Sequence, residues 1–402
     1  MEVSLEGIKK ARESLQNVAH KTAIVHNTTF SEMSGMEVYL KMENLQKTGS
    51  FKIRGAFNKI AHLSQHEKER GVIASSAGNH AQGVALAATS YGIRSTIVMP
   101  KHAPLSKVSA TRSYGAKVVL HGEVYDDAFA EAKRIQEETG ATFVHPFNDP
   151  LIIEGQGTIG LEILEDLPDV DVIVVPIGGG GLISGIAVAA KSLKPNVKII
   201  GVQTKNIPSM AMALAQKKIV SVVGQPTIAD GIAVKTPGEL TFSIIQKYVD
   251  DIVTVDEDEI ARAILLLMER AKVIAEGAGA VSVAAILNKI STNKTKKVVA
   301  VISGGNIDVN ILSRIIDKGL VNSGRKTFID TLIPDRPGTL WRLLNIVADT
   351  GANVLSVTHN RSTQDVKIGY AKVELELETM DLEHVEKIKK VLSENNYSFT
   401  IL

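Results

Sequence analysis

A lysine amine can hold an aldehyde as a Schiff base and can also act as a base, once it gives up its proton. One lysine of this chain is placed to do so. Lys52 lies in Ser50-Phe51-Lys52-Ile53-Arg54-Gly55. Residues 47–50 read as a loop and residues 56–60 begin a helical pattern, so Lys52 stands at a helix start. The positive end of the helix dipole disfavours an ammonium ion there. Lysines and arginines together number 45, and most lysines are solvated surface charges, so the motif acquires meaning only from its company.

Three further segments supply that company. Ser75-Ser76-Ala77-Gly78-Asn79-His80 falls between a strand-like run at 72–74 and a helical pattern at 81–90. Backbone N–H groups at such a helix start bind anions, and a substrate carboxylate is a natural occupant. By itself the segment reads more readily as a plain strand-to-helix turn using Gly and Asn. Gly178-Gly179-Gly180-Gly181-Leu182 follows a strand-like run at 172–177. Four glycines let the backbone close around a phosphate. A Walker loop is excluded, because Leu182, Ile183 and Ser184 stand where Lys-Ser or Lys-Thr would be needed. The dinucleotide fingerprint fails too, since its third glycine falls on Ile183 or Ser184. A merely tight turn would not need four glycines, which favours the phosphate cradle. Ser303-Gly304-Gly305-Asn306 ends a strand-like run at 298–302. A serine at the carboxyl end of a parallel strand faces the usual ligand crevice. Ser303 there either bonds a ring nitrogen or caps the next helix, and the residues leave these two equal.

The elements that must position these segments are legible in outline. Short β-branched runs at 72–74, 95–99, 117–120, 142–144, 172–177, 198–203 and 298–302 alternate with alanine-rich helical spacing. That rhythm predicts an α/β fold with parallel sheets and right-handed crossovers. Gly92, Gly115 and Gly140 sit where helices should end. A Gly/Ser/Asn stretch at 319–325 reads as a linker. Beyond it the periodicity predicts βαββαβ: a strand at 328–333, helical spacing at 340–348, a strand at 353–358, strict alternation of Ala371, Val373, Leu375 and Leu377 with charged residues, an amphipathic run at 382–392, and alternating Tyr397, Phe399 and Ile401.

Composition narrows the partners. The 402 residues are 44% apolar and 22% charged, with a formal net charge of +1. That balance gives no reason to expect nucleic acid or a membrane surface as partner. The chain has no cysteine, which excludes disulfides, thiol nucleophiles, Cys-ligated zinc and iron–sulfur clusters. Residues 1–10 have no apolar core of a targeting segment, and the longest apolar runs are too short to span a bilayer. A cytoplasmic location is the expectation. The ten histidines form no spaced metal-ligand cluster.

In this order, Ser-x-Lys-x-Arg-Gly, Ser-Ala-Gly-Asn-His, Gly-Gly-Gly-Gly-Leu and Ser-Gly-Gly-Asn resemble the pyridoxal-phosphate enzymes of the tryptophan-synthase-β type, over roughly residues 1–318. Within that group the chain is most similar to the threonine (or serine) dehydratases. The resemblance implies two parallel-sheet αβα domains with pyridoxal 5'-phosphate between them, the smaller at about 53–145 inserted in the larger. It implies that Lys52 holds the cofactor aldehyde, Phe51 packs beside its ring and Asn79 bonds the ring hydroxyl. Gly178, Gly179, Gly180, Gly181 and Leu182 would hold the phosphate, and Ser303 would face the ring nitrogen. Ser75, Ser76, Ala77, Gly78, Asn79 and His80 would receive the substrate carboxylate. Glu276 either approaches the cofactor or only starts a helix, and Asp230-Gly231 would form a cofactor-side turn.

The implied reaction is β-elimination: L-threonine to 2-oxobutyrate and ammonia, with L-serine giving pyruvate as a side reaction. A neutral hydroxyl at the ring nitrogen does not keep it protonated, and the resulting weaker electron sink suits elimination. Two rivals stand beside it. A serine racemase-like enzyme on the same scaffold would need a second acid/base where Ala77 stands, and those racemases bind a divalent metal where Gln203, Ile207 and Ser209 stand; no metal is expected here. A non-catalytic amino-acid sensor would not need Lys52, Asn79 and Ser303 together.

Residues 326–402 resemble an ACT regulatory domain, through Asp335-Arg336-Pro337-Gly338-Thr339-Leu340 and Gly351-Ala352-Asn353-Val354. The resemblance implies an amino-acid effector, isoleucine or valine, near Gly338 and Asn353. It also implies pairing of chains into a homo-oligomer, a tetramer. Pairing without an effector is the alternative. Longer biosynthetic threonine dehydratases carry two such units, and this chain has room for one.

Overall fold

Runs of valine and isoleucine make strands that can be buried on both faces, and the first unit of this protein is built on them. The structure is a computed structural model that describes residues 2–291, 296–362 and 366–401. The chain divides into two compact units, Met1–Asp308 and Val309–Leu402.

The larger sheet of the first unit has six strands in the order Ile24–His26, Glu37–Lys41, Lys297–Val301, Val172–Pro176, Lys198–Thr204 and Asp251–Val255. The first pairs antiparallel with the second, and the rest are parallel. Val172–Pro176 is buried at every residue, as a central strand covered on both faces must be. The smaller sheet is wholly parallel, in the order Lys117–Leu120, Ser95–Met99, Val72–Ser75, Thr142–Phe143. Its strands lie in the chain between the second and third segments of the larger sheet. Gly92, Gly115 and Gly140 take positive φ where their helices end. Ile24–His26, Glu37–Lys41 and Asp251–Val255 are short or mixed in polarity and give no clear sequence signal.

One helix, Lys52–Ala61, is anchored by buried charge rather than by apolar contact alone. Arg54 is 1% exposed. It donates to Glu43 Oε1 and Oε2, both at 2.8 Å, and to Glu162 Oε1 at 2.6 Å. Lys41, fully buried, donates to Glu162 Oε2 at 2.5 Å. Two cations and two carboxylates thus neutralise one another where water is excluded, the condition under which buried charge is tolerated. Burial alone would push the Glu43 carboxyl up, but the Arg54 guanidinium holds it below its usual range.

The second unit begins with helix Val309–Asn322. Four antiparallel strands follow, in the order Asn353–Asn360, Tyr370–Glu378, Lys326–Pro334, Phe399–Ile401. Helices Thr339–Asp349 and Leu382–Glu394 bury Leu343, Val347, Ile388 and Leu392 against Ile329, Ile333, Val373 and Leu375. The alternation in Tyr370–Glu378 puts Ala371, Val373, Leu375 and Leu377 inward, as its period of two requires. The expected linker at 319–325 needs correction. Helix Val309–Asn322 runs through most of it, only 323–325 turn, and the division between units falls at Asp308/Val309 instead of after residue 318. Polar and glycine content reads locally as a loop, yet Leu312, Ile315, Ile316 and Leu320 keep helical spacing, with Ile315 buried. The turn closes with Arg325 N donating to Leu320 O at 2.8 Å and Gly324 at φ +67.

Candidate active site

Three of the four chemistry-bearing segments begin where a parallel strand of the first unit ends. Val72–Ser75 leads into helix Asn79–Ser90, Val172–Pro176 into the four glycines, and Lys297–Val301 into Ser303. Carboxyl ends of parallel strands are where open α/β sheets leave a crevice. Backbone contacts then draw the segments together. Phe51 N donates to Ser303 O at 3.1 Å, Gly305 N donates to Gly49 O at 2.9 Å, and Ser50 and Gly304 form an isolated bridge. The Lys52 and Ser303 loops are therefore one surface.

Lys52 is the first residue of its helix, with Phe51 at the N-cap position. Its Nζ lies 5.2 Å from the centre of the Phe51 ring and donates to Pro146 O at 2.9 Å. Burial pushes the amine down from 10.5 to about 8, and Glu276 opposes the shift. An amine that titrates there is a usable nucleophile and base near neutral pH. In the cofactor-free enzyme the rate at which Lys52 captures an aldehyde should rise with pH and reach half its maximum near pH 8. Stopped-flow absorbance with pyridoxal phosphate would read this, and a midpoint near 10 would contradict it.

The glycine segment forms a cradle at a helix N-terminus. Gly180 has φ +96 and precedes helix Gly181–Leu193, a conformation that a side chain would strain. A Cβ on Gly179 would run into the Phe147 ring, and one on Gly178 would sit 3.0 Å from Ile232 Cα. Phe147 follows Pro146, whose carbonyl holds the Lys52 amine, so residues 146–147 join the lysine to the cradle. Gly179→Ala should force the ring or the loop aside, at about 1–3 kcal/mol of overpacking. The expected result is weaker cofactor binding in a titration of the cofactor-free protein, with a lower Tm. Unchanged affinity would count against the cradle.

Asn79 opens its helix and sits in a chain of side-chain bonds. Its Nδ2 donates to Glu276 Oε1 at 2.7 Å, and its Oδ1 accepts from Asn306 Nδ2 at 2.8 Å. Glu276 occupies the N-cap position of helix Gly277–Asn288, but its side chain makes no capping bond. It turns toward Asn79 instead. Burial, and then Asp230, pushes its carboxyl up to about 7. Lys107, Asn79 and Lys52 pull the other way. Asp230 lies on the short turn Asp230–Ile232 and pairs with Lys107 at 2.6 Å.

The other expected residues fall as follows. Ser75 is buried with its hydroxyl unpartnered, and Ser76 Oγ accepts from Gly78 N at 3.2 Å. Ala77 packs against the core of the smaller sheet. His80 Nε2 donates to Val144 O at 2.8 Å, and burial and Lys52 push its imidazole down to about 3, so it stands neutral. Ser303 is buried and its hydroxyl donates to Ala278 O at 3.3 Å. It does not cap a helix, since the next helix begins only at Val309. Leu182 is buried in the first turn behind the cradle. Gly338 and Asn353 belong to the second unit. Gly338 takes φ +85 ahead of helix Thr339–Asp349, and Asn353 Nδ2 donates to Glu378 Oε2 at 3.1 Å.

Gln203 Oε1 accepts from Ala211 N at 2.9 Å and Ser209 Oγ donates to Val234 O at 2.6 Å. Among the described residues no group of three or more His, Asp or Glu is arranged to hold a metal ion. No helix among them is long and apolar enough to cross a membrane. Pro146, Phe147 and Lys107 acquire site roles that no sequence pattern announced, and Asn306, quoted only as the end of a motif, gains partners in Thr48 and Asn79.

The donor set fits pyridoxal phosphate: a buried amine of lowered proton affinity, a glycine cradle at a helix N-terminus, an amide beside it and a neutral hydroxyl at a strand end. Comparisons with known proteins agree. The family model described as pyridoxal-phosphate dependent enzyme matches residues 15–304, and the ACT domain model matches residues 327–394. The chain is 64% identical over 400 residues to an L-threonine ammonia-lyase of Thermotoga maritima, covering 100% of both chains. It is 50% identical over 315 residues to the catabolic L-threonine dehydratase TdcB of Escherichia coli K12, covering 78% of this chain and 96% of that one. Among solved structures, maize serine racemase matches with a TM-score of 0.75 at 38% identity, over 80% of this chain and 99% of that one. The chain belongs to the family of pyridoxal-phosphate dependent enzymes and carries an ACT domain behind its cofactor-binding part.

Proposed function

We propose that the protein is an L-threonine ammonia-lyase, which converts L-threonine to 2-oxobutyrate and ammonia by β-elimination and acts on L-serine as a side reaction. The observation that carries this reading is the 64% identity to an L-threonine ammonia-lyase through both units and over the whole of that relative. The site supports it. Bound pyridoxal phosphate would supply an electron sink for the pair left on Cα when its proton departs. Gly178 to Leu182 would hold the phosphate, Asn79 the ring hydroxyl, and Ser303 the ring nitrogen without charging it. The N-terminal end of helix Asn79–Ser90 offers backbone N–H groups to the substrate carboxylate.

Lys52 Nζ is the group that takes the Cα proton. Its amine is free for that task at a pH where an ordinary lysine is not. His80 does not compete, because it stays neutral and donates its Nε2 proton to Val144. Racemisation needs a proton-holding group on the other face of the substrate. In the serine racemases of this family that group is a serine immediately before the Gly-Asn-His of the carboxylate loop, and Ala77 offers only a methyl there. The likeness to a serine racemase therefore reflects the shared scaffold.

Regulation and assembly complete the proposal. An amino acid such as isoleucine or valine is taken to bind near Gly338 and Asn353. Chains are taken to associate, as a tetramer in the cytoplasm. Strand Asn353–Asn360 supports pairing, because it lies at a sheet edge and carries the exposed Leu355 and Val357.

The test is steady-state 2-oxo acid formation by the full chain with pyridoxal phosphate, from L-threonine and from L-serine, with and without isoleucine and valine. 2-Oxobutyrate should form faster than pyruvate. Absence of keto acid from both substrates would overturn the reading. An amino-acid-dependent change in rate would support the effector role, and identical rates throughout would remove it.

A further inference from the structure

We propose that Asn306 is a positioning residue: it fixes which way the Asn79 amide points, and so which of its atoms face the cofactor ring. The inference rests on the cofactor reading above. Asparagine oxygen and nitrogen are commonly interchangeable in a structure, and only the bonding network orders them. Here one main-chain group orders the whole chain. Thr48 carries φ +62, a left-handed conformation that a β-branched residue rarely adopts. That turn aims its carbonyl at Asn306, 2.6 Å from Nδ2. A carbonyl can only accept, so the NH2 of Asn306 must face it.

The rest follows by elimination. The same NH2 has one hydrogen left, and it points at an Asn79 side-chain atom 2.8 Å away, which must then be the oxygen. The NH2 of Asn79 is thereby turned to Glu276, at 2.7 Å from Oε1. One of its two hydrogens goes to that carboxyl, and the second remains for a ligand acceptor such as a ring hydroxyl. Asn306 is itself held in place. Gly305 N donates to Gly49 O at 2.9 Å, and a side chain on Gly49 would collide with Asn306 Oδ1. The loop ahead of Lys52 thus sets the direction of an amide that arrives from a different sheet. At the far end Glu276 faces Asn79, Asp230, Lys107 and Lys52.

Asn306→Asp reverses the logic. A carboxylate cannot donate, so it opposes both the Thr48 carbonyl and the Asn79 oxygen. Asn79 relieves this by turning its NH2 to position 306, which leaves its oxygen toward Glu276. Glu276 must then keep a proton to donate. The experiment uses full-length, cofactor-loaded enzyme: wild type, N306D, E276Q and the double variant N306D/E276Q, each titrated with pH by the absorbance of the bound cofactor and assayed for kcat and KM.

In N306D the spectral midpoint should move up by about one pH unit, the size of a modest change in hydrogen bonding. Its kcat should fall about ten-fold with a smaller change in KM. Glu276→Gln supplies the missing hydrogen, so the double variant should exceed the activity expected from multiplying the two single effects. A residue that only filled space would produce no such rescue. A wild-type spectral titration in N306D, or a double variant no better than that product, would overturn the proposal. If N306D does not fold, Asn306→Ser carries the test, because its hydroxyl can donate to only one of the two acceptors. Its spectral midpoint should shift in the same direction, and an unshifted one overturns the proposal. A wild-type protein that binds no cofactor would instead remove the functional reading, and this inference with it.

Discussion

Lys52→Ala should abolish the absorbance of covalently held cofactor and cut 2-oxo acid formation by about 10² to 10⁴-fold, the range set by loss of a general base. Two structural facts make this loss specific to chemistry. Lys52 is half-buried at the first position of its helix and takes no part in the charge cluster beneath it. Its Nζ contacts one protein acceptor, Pro146 O. Alanine is the strongest helix former, and removing a cation from a helix N-terminus is not unfavourable. The variant should therefore unfold within about 0.5 kcal/mol of wild type. Spectroscopy, a keto-acid assay and denaturant unfolding on the same preparation would separate these effects. A variant that kept a tenth of the activity would end the assignment of Lys52 as base.

Arg54→Met should have the largest effect on stability, about 3–5 kcal/mol, the cost of breaking a buried ion pair by removing one partner. That is a large share of the roughly 5–15 kcal/mol by which a native domain is stable. The change leaves Glu43 and Glu162 facing Lys41 alone in a site from which water is excluded. Methionine would fill much of the volume, so the loss reports charge and not a cavity. The sign with pH is a further check. With Arg54 in place, the folded Glu43 carboxyl titrates below its usual range and stabilises the native state above that range. Without Arg54, burial raises its folded proton affinity above the unfolded value. The deficit of the variant is then fully present at neutral pH and shrinks as pH falls through the raised value. Glu43→Gln combined with Arg54→Met should recover part of the loss in urea unfolding. Equal stability of wild type and Arg54→Met would show that the cluster contributes nothing net.

Arg54 stands two residues from Lys52 on the same helix, so the cluster anchors the helix that carries the amine. It ties strand Glu37–Lys41 and helix Pro150–Asp166 to the first turn of that helix. The Arg of Ser-x-Lys-x-Arg-Gly was legible as part of a motif, but its partners were not. Glu43 is near in sequence, while Glu162 is far away, and no local pattern links them. The same holds for Pro146 and Phe147, which join Lys52 to the glycine cradle. Their roles come from a carbonyl and a ring face, and neither depends on a distinctive residue type. Glu276 was half legible. Its place before Gly277-Ala278-Gly279 announced a helix start, and only the fold turned its side chain toward Asn79.

The linker shows the opposite error. Serine, asparagine and glycine at 319–325 have turn chemistry, and a reading weighted by composition stops the helix there. The helix nevertheless runs to Asn322, with Ile315 buried and Leu312, Ile316 and Leu320 half-buried along it.

What the sequence determined by itself was local: which runs are strands, where glycines must turn the chain, and which lysine begins a helix. Those follow from β-branching, side-chain period and the freedom of glycine at positive φ, properties each residue carries with it. What only the tertiary structure decided was the chemistry of the groups those elements carry. Folding strips water from both groups: burial pushes the Lys52 amine down to about 8 against Glu276, and burial with Asp230 pushes the Glu276 carboxyl up to about 7 against Lys107, Asn79 and Lys52. Proton affinity depends on desolvation and on neighbouring charge, and both arise only when distant segments are brought together.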